Sequence, residues 1–532
     1  MYIIYINIIY INNMPIIVTA YYRSKNKHDS TGNIYIQWMK NFIPYVENKI
    51  VIFVENKQEF LDIIHRERII LRESVHIIIE KHMTDFLVQK YNWDYHYNID
   101  PEKHIHNVNL YKIWNEKINF LKIVSELYPL NDDYYVWTDI GMIRDPKLRP
   151  FLRYYPDKKL LNDKMYFLRI TKLNNIYNGN IIDVTKILSH ISGTVIAGHR
   201  DIIHEYHEAY YNMLHEYFEK NIFAGKDQNI MYNMTLKYPN MVQIIDHTSN
   251  NWMYKFQSNE WFYMLNFLIE KKQFIVCNPI RAGICNIFFH ICSSYGYAVQ
   301  TNRVFFLTND IISSHSNINY THNLFNYFQK IDENMIDNIK DLNESRFDTF
   351  IGLDTETEKN FRLLSYLQNE KYFYSIKNNI IQIFNSLYDI SNDDLYDYFI
   401  HYRRGDYLNS QFHHVNLDKY FDMSIEYIKK VDQEWKNKRF CILSDDIKWC
   451  IDNNFLRNHD INISYIKNKN ELDTLKIMVS SRYGGIGSNS TYSWWGLWLN
   501  KNNDAILILP SKWSSCGQYQ NIYFDKCIKI DI

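Results

Sequence analysis

Residues 396–407 read YDYFIHYRRGDY. The aromatic and apolar run that ends at Ile400 is typical of a buried strand. Two adjacent arginines, a glycine and Asp406 follow it directly. Because open α/β sheets bind ligands beyond the carboxyl ends of their strands, this position predicts a binding site. A guanidinium binds phosphate oxygens in pairs and keeps its proton, so the arginines predict an anion site.

Two later segments in the second half of the chain have the same layout. RFCILSDDIKWC (439–450) and GGIGSNSTYSWWGLWLN (484–500) each read as a strand that ends in small polar residues. Hydroxyls at a helix N-terminus donate to phosphate, and carboxylates accept from a base or a ribose. The pattern therefore predicts a diphosphate site in which arginine supplies the positive charge. The side chains brought to it are Ser444, Asp445, Asn489, Ser490 and Thr491.

These segments resemble the α-1,2-fucosyltransferases, glycosyltransferase family 11, over about residues 274–532. The family pattern H-x-R-R-G-D-Y matches 401–407, F-S-D-D-x-x-W-C matches 443–450 with Leu443 for the aromatic residue, and N-S-T-F-S-W-W matches 489–495 with Tyr492 for Phe. The glycine-rich opening of the family is degraded to AGICNIFF (282–289), where Cys285 replaces a glycine.

The resemblance implies a GT-B fold of Rossmann type and GDP-L-fucose as the donor. Fucose would pass with inversion to the 2-hydroxyl of a galactose-like acceptor, without a metal cofactor. The implied catalytic residues are Arg403, at the β-phosphate, and Asp406, either as the base or as a residue that orients Arg404. Trp494 and Trp495 are either core residues or sugar platforms. The implied donor-binding residues are His401, Arg404, Gly283, Asn286, Ser444, Asp445, Asn489, Ser490 and Thr491.

The first half of the chain alternates strand-like and helix-like segments. PIIVTAYY (15–22), IVIFVEN (50–56) and VHIIIEK (75–81) read as buried strands, and helical patterns lie between them. This alternation predicts a parallel α/β sheet. VWTDIGMIRD (136–145) then places Asp139 at the end of a further strand, and FAGKDQNIMYNM (223–234) places Asp227 and Gln228 at the start of a helix.

These first-half segments resemble the bacterial HtrL/YibB-like (WlaTC) family over about residues 15–250. The matching elements are the early strand, the pattern W-x-D-x-G-x-x-R that ends at Arg144, and the Asp227-Gln228 pair. The resemblance implies a GT-A-like glycosyltransferase in which Asp139 meets the donor or its Mn²⁺ or Mg²⁺, and Asp227 faces the acceptor. The alternative is that both aspartates only cap a turn and a helix.

The bulk composition excludes several partners. Lys and Arg number 59 and Asp and Glu 60, so the net charge of −1 gives no field for nucleic acid. Seven cysteines without a CxxC pair predict a reduced, cytoplasmic protein, in the host cytoplasm if the source is a virus. No stretch is long and apolar enough to span a membrane, and peripheral membrane association is left open.

We therefore expect two fused glycosyltransferase modules of the α/β class. The predicted boundaries are an extension at 1–14, a GT-A-like domain at 15–255, a connector at 256–273 and a GT-B-like domain at 274–532. The first domain would add one sugar from a second nucleotide sugar, and the second would cap the glycan with fucose. The alternative is a carbohydrate-binding protein in which one or both transferase sites are inactive.

Overall fold

The computed structural model describes residues 15–23, 33–129, 134–157, 163–171, 178–185, 190–354, 358–516 and 519–532. The predicted extension at 1–14 lies outside these residues. The chain divides into two compact units between Lys271 and Lys272.

The first unit is built on a seven-stranded sheet with the order β3-β2-β1-β4-β6-β5-β7. Strands β1 to β4 pair in parallel, while β6 runs antiparallel to both of its neighbours. The strands are β1 (Ile16–Tyr21), β2 (Ile50–Val54), β3 (His76–Glu80), β4 (Tyr134–Thr138), β5 (Met165–Arg169), β6 (Ile191–His199) and β7 (Val242–Asp246).

Seven α-helices of the described residues flank this sheet. The central one, Val108–Leu127, begins at Asn107, whose side chain accepts a hydrogen bond from the backbone N–H of Leu110. The helices are α1 (Asn33–Phe42), α2 (Lys57–Arg66), α3 (Asp94–Ile99), α4 (Val108–Leu127), α5 (Arg200–Glu219), α6 (Asp227–Lys237) and α7 (Tyr263–Phe267).

The three early strands predicted from the sequence are confirmed, and they pair in parallel as expected. The complete sheet is mixed, because β6 runs antiparallel to both of its neighbours. Helix α2, between β2 and β3, ends at Arg66, two residues before Arg68, whose positive φ of 54° an α-helix does not accommodate. Apolar periodicity carries no information about strand direction, which is set by pairing between distant segments.

The second unit contains two fully parallel sheets. The four-stranded sheet has the order β10-β11-β8-β9 and the six-stranded sheet the order β14-β13-β12-β15-β16-β17. The strands are β8 (Phe274–Cys277), β9 (Val304–Leu307), β10 (Ile339–Asn343), β11 (Asn360–Leu364), β12 (Tyr398–Tyr402), β13 (Arg439–Ser444), β14 (Asn462–Tyr465), β15 (Gly484–Gly487), β16 (Ile506–Pro510) and β17 (Ile528–Ile530).

The helices of the second unit pack between and around these strands, and all three segments of the sequence analysis follow strands of the six-stranded sheet. Trp494 and Trp495 are fully buried in the large core cluster, so they are core residues. The helices are α8 (Ile284–Gln300), α9 (Lys377–Ile383), α10 (Asp418–Val431), α11 (Ile447–Asp452), α12 (Glu471–Ser480) and α13 (Thr491–Trp498).

Within the described part of the chain, no helix has the length and apolar character needed to cross a membrane.

Candidate active site

Arg403 lies in the turn that leaves β12, at the carboxyl end of the six-stranded sheet. Its backbone N–H donates to Ser488 Oγ at 3.0 Å, which ties this turn to the end of the neighbouring strand β15. The guanidinium meets Asp406 Oδ1 at 2.8 Å and Asp445 Oδ2 at 3.3 Å, and only 21% of the side chain is exposed. A planar cation is therefore held in a fixed direction by two carboxylates.

Gly405 allows Asp445 to approach this turn. A Cβ atom at position 405 would lie 2.7 Å from Asp445 Oδ2, closer than any side chain tolerates. The other carboxylate oxygen, Oδ1, accepts a hydrogen bond from the backbone N–H of Arg404 at 2.8 Å. The turn after β12 thus contacts the loop after β13 through Asp445.

Arg404 has partners that differ from those of Arg403. Its Nε lies 3.3 Å from Asp446 Oδ2, and its guanidinium stacks over the ring of Trp449 at 3.4 Å. The expectation that Asp406 orients Arg404 differs from these contacts, because Asp406 pairs with Arg403 instead. Arg404 therefore supports the loop that carries Asp445.

The third segment contributes the start of helix α13. Ser490 is the N-cap residue, and its side chain accepts from the backbone N–H of Tyr492. Asn489 has a different place: its Nδ2 donates to the carbonyls of His413 and Trp513, both at 2.9 Å. Asn489 is 1% exposed and joins two loops behind the site.

A cavity of about 560 Å³ lies within the second unit, lined by segments that follow strands of both of its sheets. This volume falls in the range of pockets that hold cofactors and nucleotides. Among the described residues, Arg404 and Asn489 are the predicted site residues of this unit that do not line it. The predicted residues that do are Gly283, Asn286, His401, Arg403, Asp406, Ser444, Asp445, Ser490 and Thr491.

An aromatic wall that the sequence analysis missed also lines the cavity. Phe347 and Tyr519 stack with ring centroids 4.2 Å apart, and Phe412 packs edge-on against Tyr519 at 5.3 Å. In a chain with 45 tyrosines and 30 phenylalanines, no local signal separates these rings from core residues. Such a wall offers flat surfaces for a base or a sugar ring.

Two polar residues of the cavity were likewise not predicted as ligand contacts. Glu471, the first residue of α12, accepts hydrogen bonds from Tyr320 Oη at 2.9 Å and Ser313 Oγ at 3.2 Å. The His413 ring stacks on Tyr407 at 4.5 Å. A carboxylate after a charged loop and a histidine after another histidine have no distinctive sequence signature, which is why only the tertiary contacts find them.

His401 is buried beneath the cavity and is neutral near pH 7. Its Nδ1 lies 2.7 Å from Ser493 Oγ, and burial lowers its pKa to about 4, an effect that Asp445 opposes and Arg403 reinforces. The neutral ring has one nitrogen that donates and one that accepts, so it offers a polar contact to a ligand without adding charge.

We expect His401 to make the second unit less stable in acid. The pKa is about 4 in the folded protein and 6.5 for the ordinary side chain, so the unfolded chain binds the proton first as the pH falls. Above pH 6.5, His401 therefore contributes up to about 3 kcal/mol to the free energy of unfolding. This contribution is lost as the pH falls towards 4. Urea unfolding of wild type and His401→Gln across this range measures it. Parallel pH curves for the two proteins would contradict the assignment.

In the first unit, the predicted residues Asp139 and Asp227 meet at a buried lysine. Lys117, in the middle of α4, places its Nζ 3.2 Å from Asp139 Oδ1 and 3.1 Å from Asp227 Oδ2. The same Nζ donates to the Gly193 carbonyl of β6 at 2.8 Å. Burial alone would lower the pKa of this ammonium, but the two aspartates together raise it above its usual value. The two aspartates therefore stabilise the charged form of Lys117.

The other two predicted residues of the first unit lie near this group in the chain. Arg144 is exposed, and its guanidinium rests over the rings of Trp38 at 4.4 Å and Phe262 at 4.9 Å. The backbone N–H of Gln228 donates to Asp227 Oδ1 at 2.9 Å, and its side chain is half-buried. Asp227 is the first residue of α6, whose N-cap position is Lys226, so the alternative that Asp227 caps this helix is wrong.

Comparison with known proteins finds matches to the second unit's family. The family model "Glycosyl transferase family 11" matches residues 294–526. The O-antigen biosynthesis glycosyltransferase WbnK of Escherichia coli is 30% identical over 210 residues, which cover 36% of this chain and 67% of that protein. The alpha-1,2-colitosyltransferase of Escherichia coli is 28% identical over 177 residues, covering 31% of this chain and 59% of that protein.

Among solved structures, the fucosyltransferase NodZ from Bradyrhizobium matches with a TM-score of 0.28 and 10% identity, covering 43% of this chain and 92% of NodZ. The sequence match to WbnK covers two thirds of that protein, and its 30% identity indicates that the two chains are homologous. In the present chain, the second unit brings the turn after β12, the loop after β13 and the start of α13 around one cavity. Through residues 294–526, the chain belongs to glycosyl transferase family 11 and is a fucosyltransferase-like glycosyltransferase.

Proposed function

We propose that the second unit transfers fucose from GDP-L-fucose, with inversion, to the 2-hydroxyl of a galactose-like glycan acceptor, and that it has a GT-B fold. The observation that carries this proposal is the fixed guanidinium of Arg403 in a cavity lined by segments that follow strands of two parallel sheets. The leaving group of the reaction is a nucleoside diphosphate, and Arg403 is placed to neutralise it. Stabilisation of developing charge by a fixed donor is a large catalytic effect.

The donor would lie across the carboxyl ends of β12, β13 and β15. Its diphosphate would meet Arg403 and the hydroxyls of Ser490 and Thr491, at the positive end of helix α13. The guanosine would take its polar contacts from Asp445 and His401. The aromatic wall supplies a face on which a ring stacks.

Asp406 is the base in this scheme. In the structure it shares Arg403 with Asp445, so one guanidinium faces two carboxylates. A bound diphosphate competes for the same guanidinium and would release Asp406, whose side chain is 63% exposed. The freed carboxylate takes the proton of the acceptor hydroxyl while the oxygen of that hydroxyl bonds to the anomeric carbon. The bond from that carbon to the β-phosphate oxygen breaks, and its electron pair leaves with GDP.

We further propose that the first unit is a GT-A-like transferase that adds another sugar from a second nucleotide sugar. Three features support it: the mixed sheet, Asp139 directly after β4 and Asp227 at the start of α6. A carboxylate at the carboxyl end of a strand, as Asp139 is, suits contact with a ligand. Fusion of the two units would raise the concentration of the first product at the second site.

The test is GDP release from GDP-L-fucose by the purified full chain. We expect GDP to be released, and to be released faster when a galactose-terminated acceptor is present. Both rates should persist in EDTA, because Arg403 rather than a divalent cation would meet the diphosphate. Because one relative is an alpha-1,2-colitosyltransferase, a colitosyl donor is run in parallel. Transfer from the colitosyl donor alone would correct the donor. Saturable donor binding without any release would instead favour a carbohydrate-binding protein.

A further inference from the structure

We propose that in the first unit the Lys117 ammonium takes the place that a divalent cation would occupy between Asp139 and Asp227, so that Asp139 binds a ligand hydroxyl without a metal. This inference rests on the proposed sugar transfer by the first unit and concerns the way in which its site works. Mn²⁺ or Mg²⁺ was the expectation from sequence, and the residues around Asp139 do not fit it.

The first reason is geometric. Lys117 Nζ has three oxygens around it, from three separate elements: the Gly193 carbonyl of β6 at 2.8 Å, Asp227 Oδ2 at 3.1 Å and Asp139 Oδ1 at 3.2 Å. An ammonium has three hydrogens to offer, so this arrangement suits it. Mn²⁺ and Mg²⁺ belong to a different geometry, with oxygens held close to the ion in a near-octahedral shell.

The second reason is burial. The side chains of Lys117 and Asp227 are 4% and 5% exposed. Moving the ammonium out of the site would leave two carboxylates that face each other without a cation, while leaving it in place excludes a second cation. Taking one partner from a buried ion pair is strongly unfavourable. The lysine is therefore a built component of the site.

The third reason is the close approach that Gly193 permits. A Cβ atom at this position would lie 2.7 Å from Asp227 Oδ2, so any larger residue would push the carboxylate away from Lys117. The glycine carbonyl is also one of the three oxygens around Nζ. Position 193 therefore serves the lysine contact twice.

What remains open to a ligand is Asp139. Its Oδ1 accepts from Trp137 Nε1 at 2.7 Å and faces Lys117, while its side chain is 34% exposed. Among the described residues, the contacts of this carboxylate involve Oδ1, and Oδ2 faces none of these partners, so Oδ2 is the oxygen that would accept from a ligand. A sugar hydroxyl is the donor that suits a carboxylate oxygen whose charge is already balanced. Asp139 therefore contacts the sugar directly.

The test is a titration of the full-length chain with Mn²⁺, followed by electron paramagnetic resonance of the free ion. We expect wild type and Asp139→Asn to bind the same amount of Mn²⁺ at millimolar concentration. Lys117→Met removes the ammonium and keeps the length of the side chain, so it should gain one Mn²⁺ site that is lost again in Lys117→Met/Asp139→Asn. The matched control is Lys122→Met on the same helix, whose lysine pairs with Glu126 near the surface.

Binding of Mn²⁺ to wild type that Asp139→Asn removes would overturn the proposal. The comparison of wild type with Asp139→Asn does not use the Lys117→Met variant. It therefore tests the proposal even if Lys117→Met accumulates poorly. No gain of Mn²⁺ in folded Lys117→Met would also count against it. The measurement of Mn²⁺ binding does not depend on transferase activity. A first unit that transfers no sugar would refute the proposed function, whereas the Mn²⁺ titration would still test the role of Lys117.

Discussion

Replacing Arg403 with alanine should lower the rate of fucosyl transfer about 10²–10³-fold, the usual cost of losing one fixed donor to a developing negative charge. The guanidinium is held by Asp406 and Asp445 inside the cavity, so its position is set before a donor arrives. The variant also leaves two neighbouring carboxylates without their cation, which repels a diphosphate. The measurement is single-turnover transfer from GDP-L-fucose, with donor affinity taken separately.

Two further variants show whether this loss is specific. Arg403→Lys keeps the charge but not the two-pronged geometry, so it should recover only part of the rate. Arg439→Ala removes an exposed arginine at the far end of β13, where the guanidinium meets backbone carbonyls, and should leave the rate unchanged. Full activity in Arg403→Ala would refute the assignment of this residue to the leaving group.

Replacing Trp494 with alanine should destabilise the second unit by about 3–5 kcal/mol, the range for truncating a buried aromatic side chain to alanine. The side chain is fully buried, and its Nε1 donates to the Ile522 carbonyl at 2.7 Å. Its ring lies 4.5 Å from that of Phe289 and stacks on Trp498 at 5.8 Å. The truncation therefore leaves a large cavity and an unpaired carbonyl.

Urea unfolding followed by circular dichroism measures the effect, with Trp435→Ala as the matched control. Trp435 is only partly buried and lies in a turn between α10 and β13, so its truncation should cost much less. The alternative for Trp494, a sugar platform, makes the opposite prediction. Normal stability with weakened acceptor binding would support that alternative.

Much of the second unit was readable from short segments, for a physical reason. Parallel strands buried on both faces read as continuous apolar runs, so β12 and β13 are visible in the sequence, and a ligand site follows at their carboxyl ends. Arg403, Ser444, Asp445 and Ser490 could therefore be predicted to lie together, and all of them line the cavity. The direction of β6, by contrast, has no local signature.

The partners of the charged residues could not be predicted from the same segments. One of the two roles considered for Asp406 was to orient Arg404, but the turn at Gly405 directs Asp406 to Arg403 and leaves Arg404 to Asp446 and Trp449. Lys117 lies in the middle of a helix, 22 positions before Asp139 and 110 before Asp227, and no pattern marks it. Contacts of this kind depend on the directions of side chains in segments that lie side by side only in the folded protein.

By itself, the sequence determined the α/β class, the buried strands of the second half and the arginine turn, because buried strands and the residues that end them are encoded within a few neighbouring positions. Only the tertiary structure decided which carboxylate holds Arg403, which aromatic rings line the cavity, and that a lysine joins the two aspartates of the first unit. Apart from the local Arg403–Asp406 pair, those features are contacts between segments far apart in the chain, and their geometry exists only after the sheets have assembled.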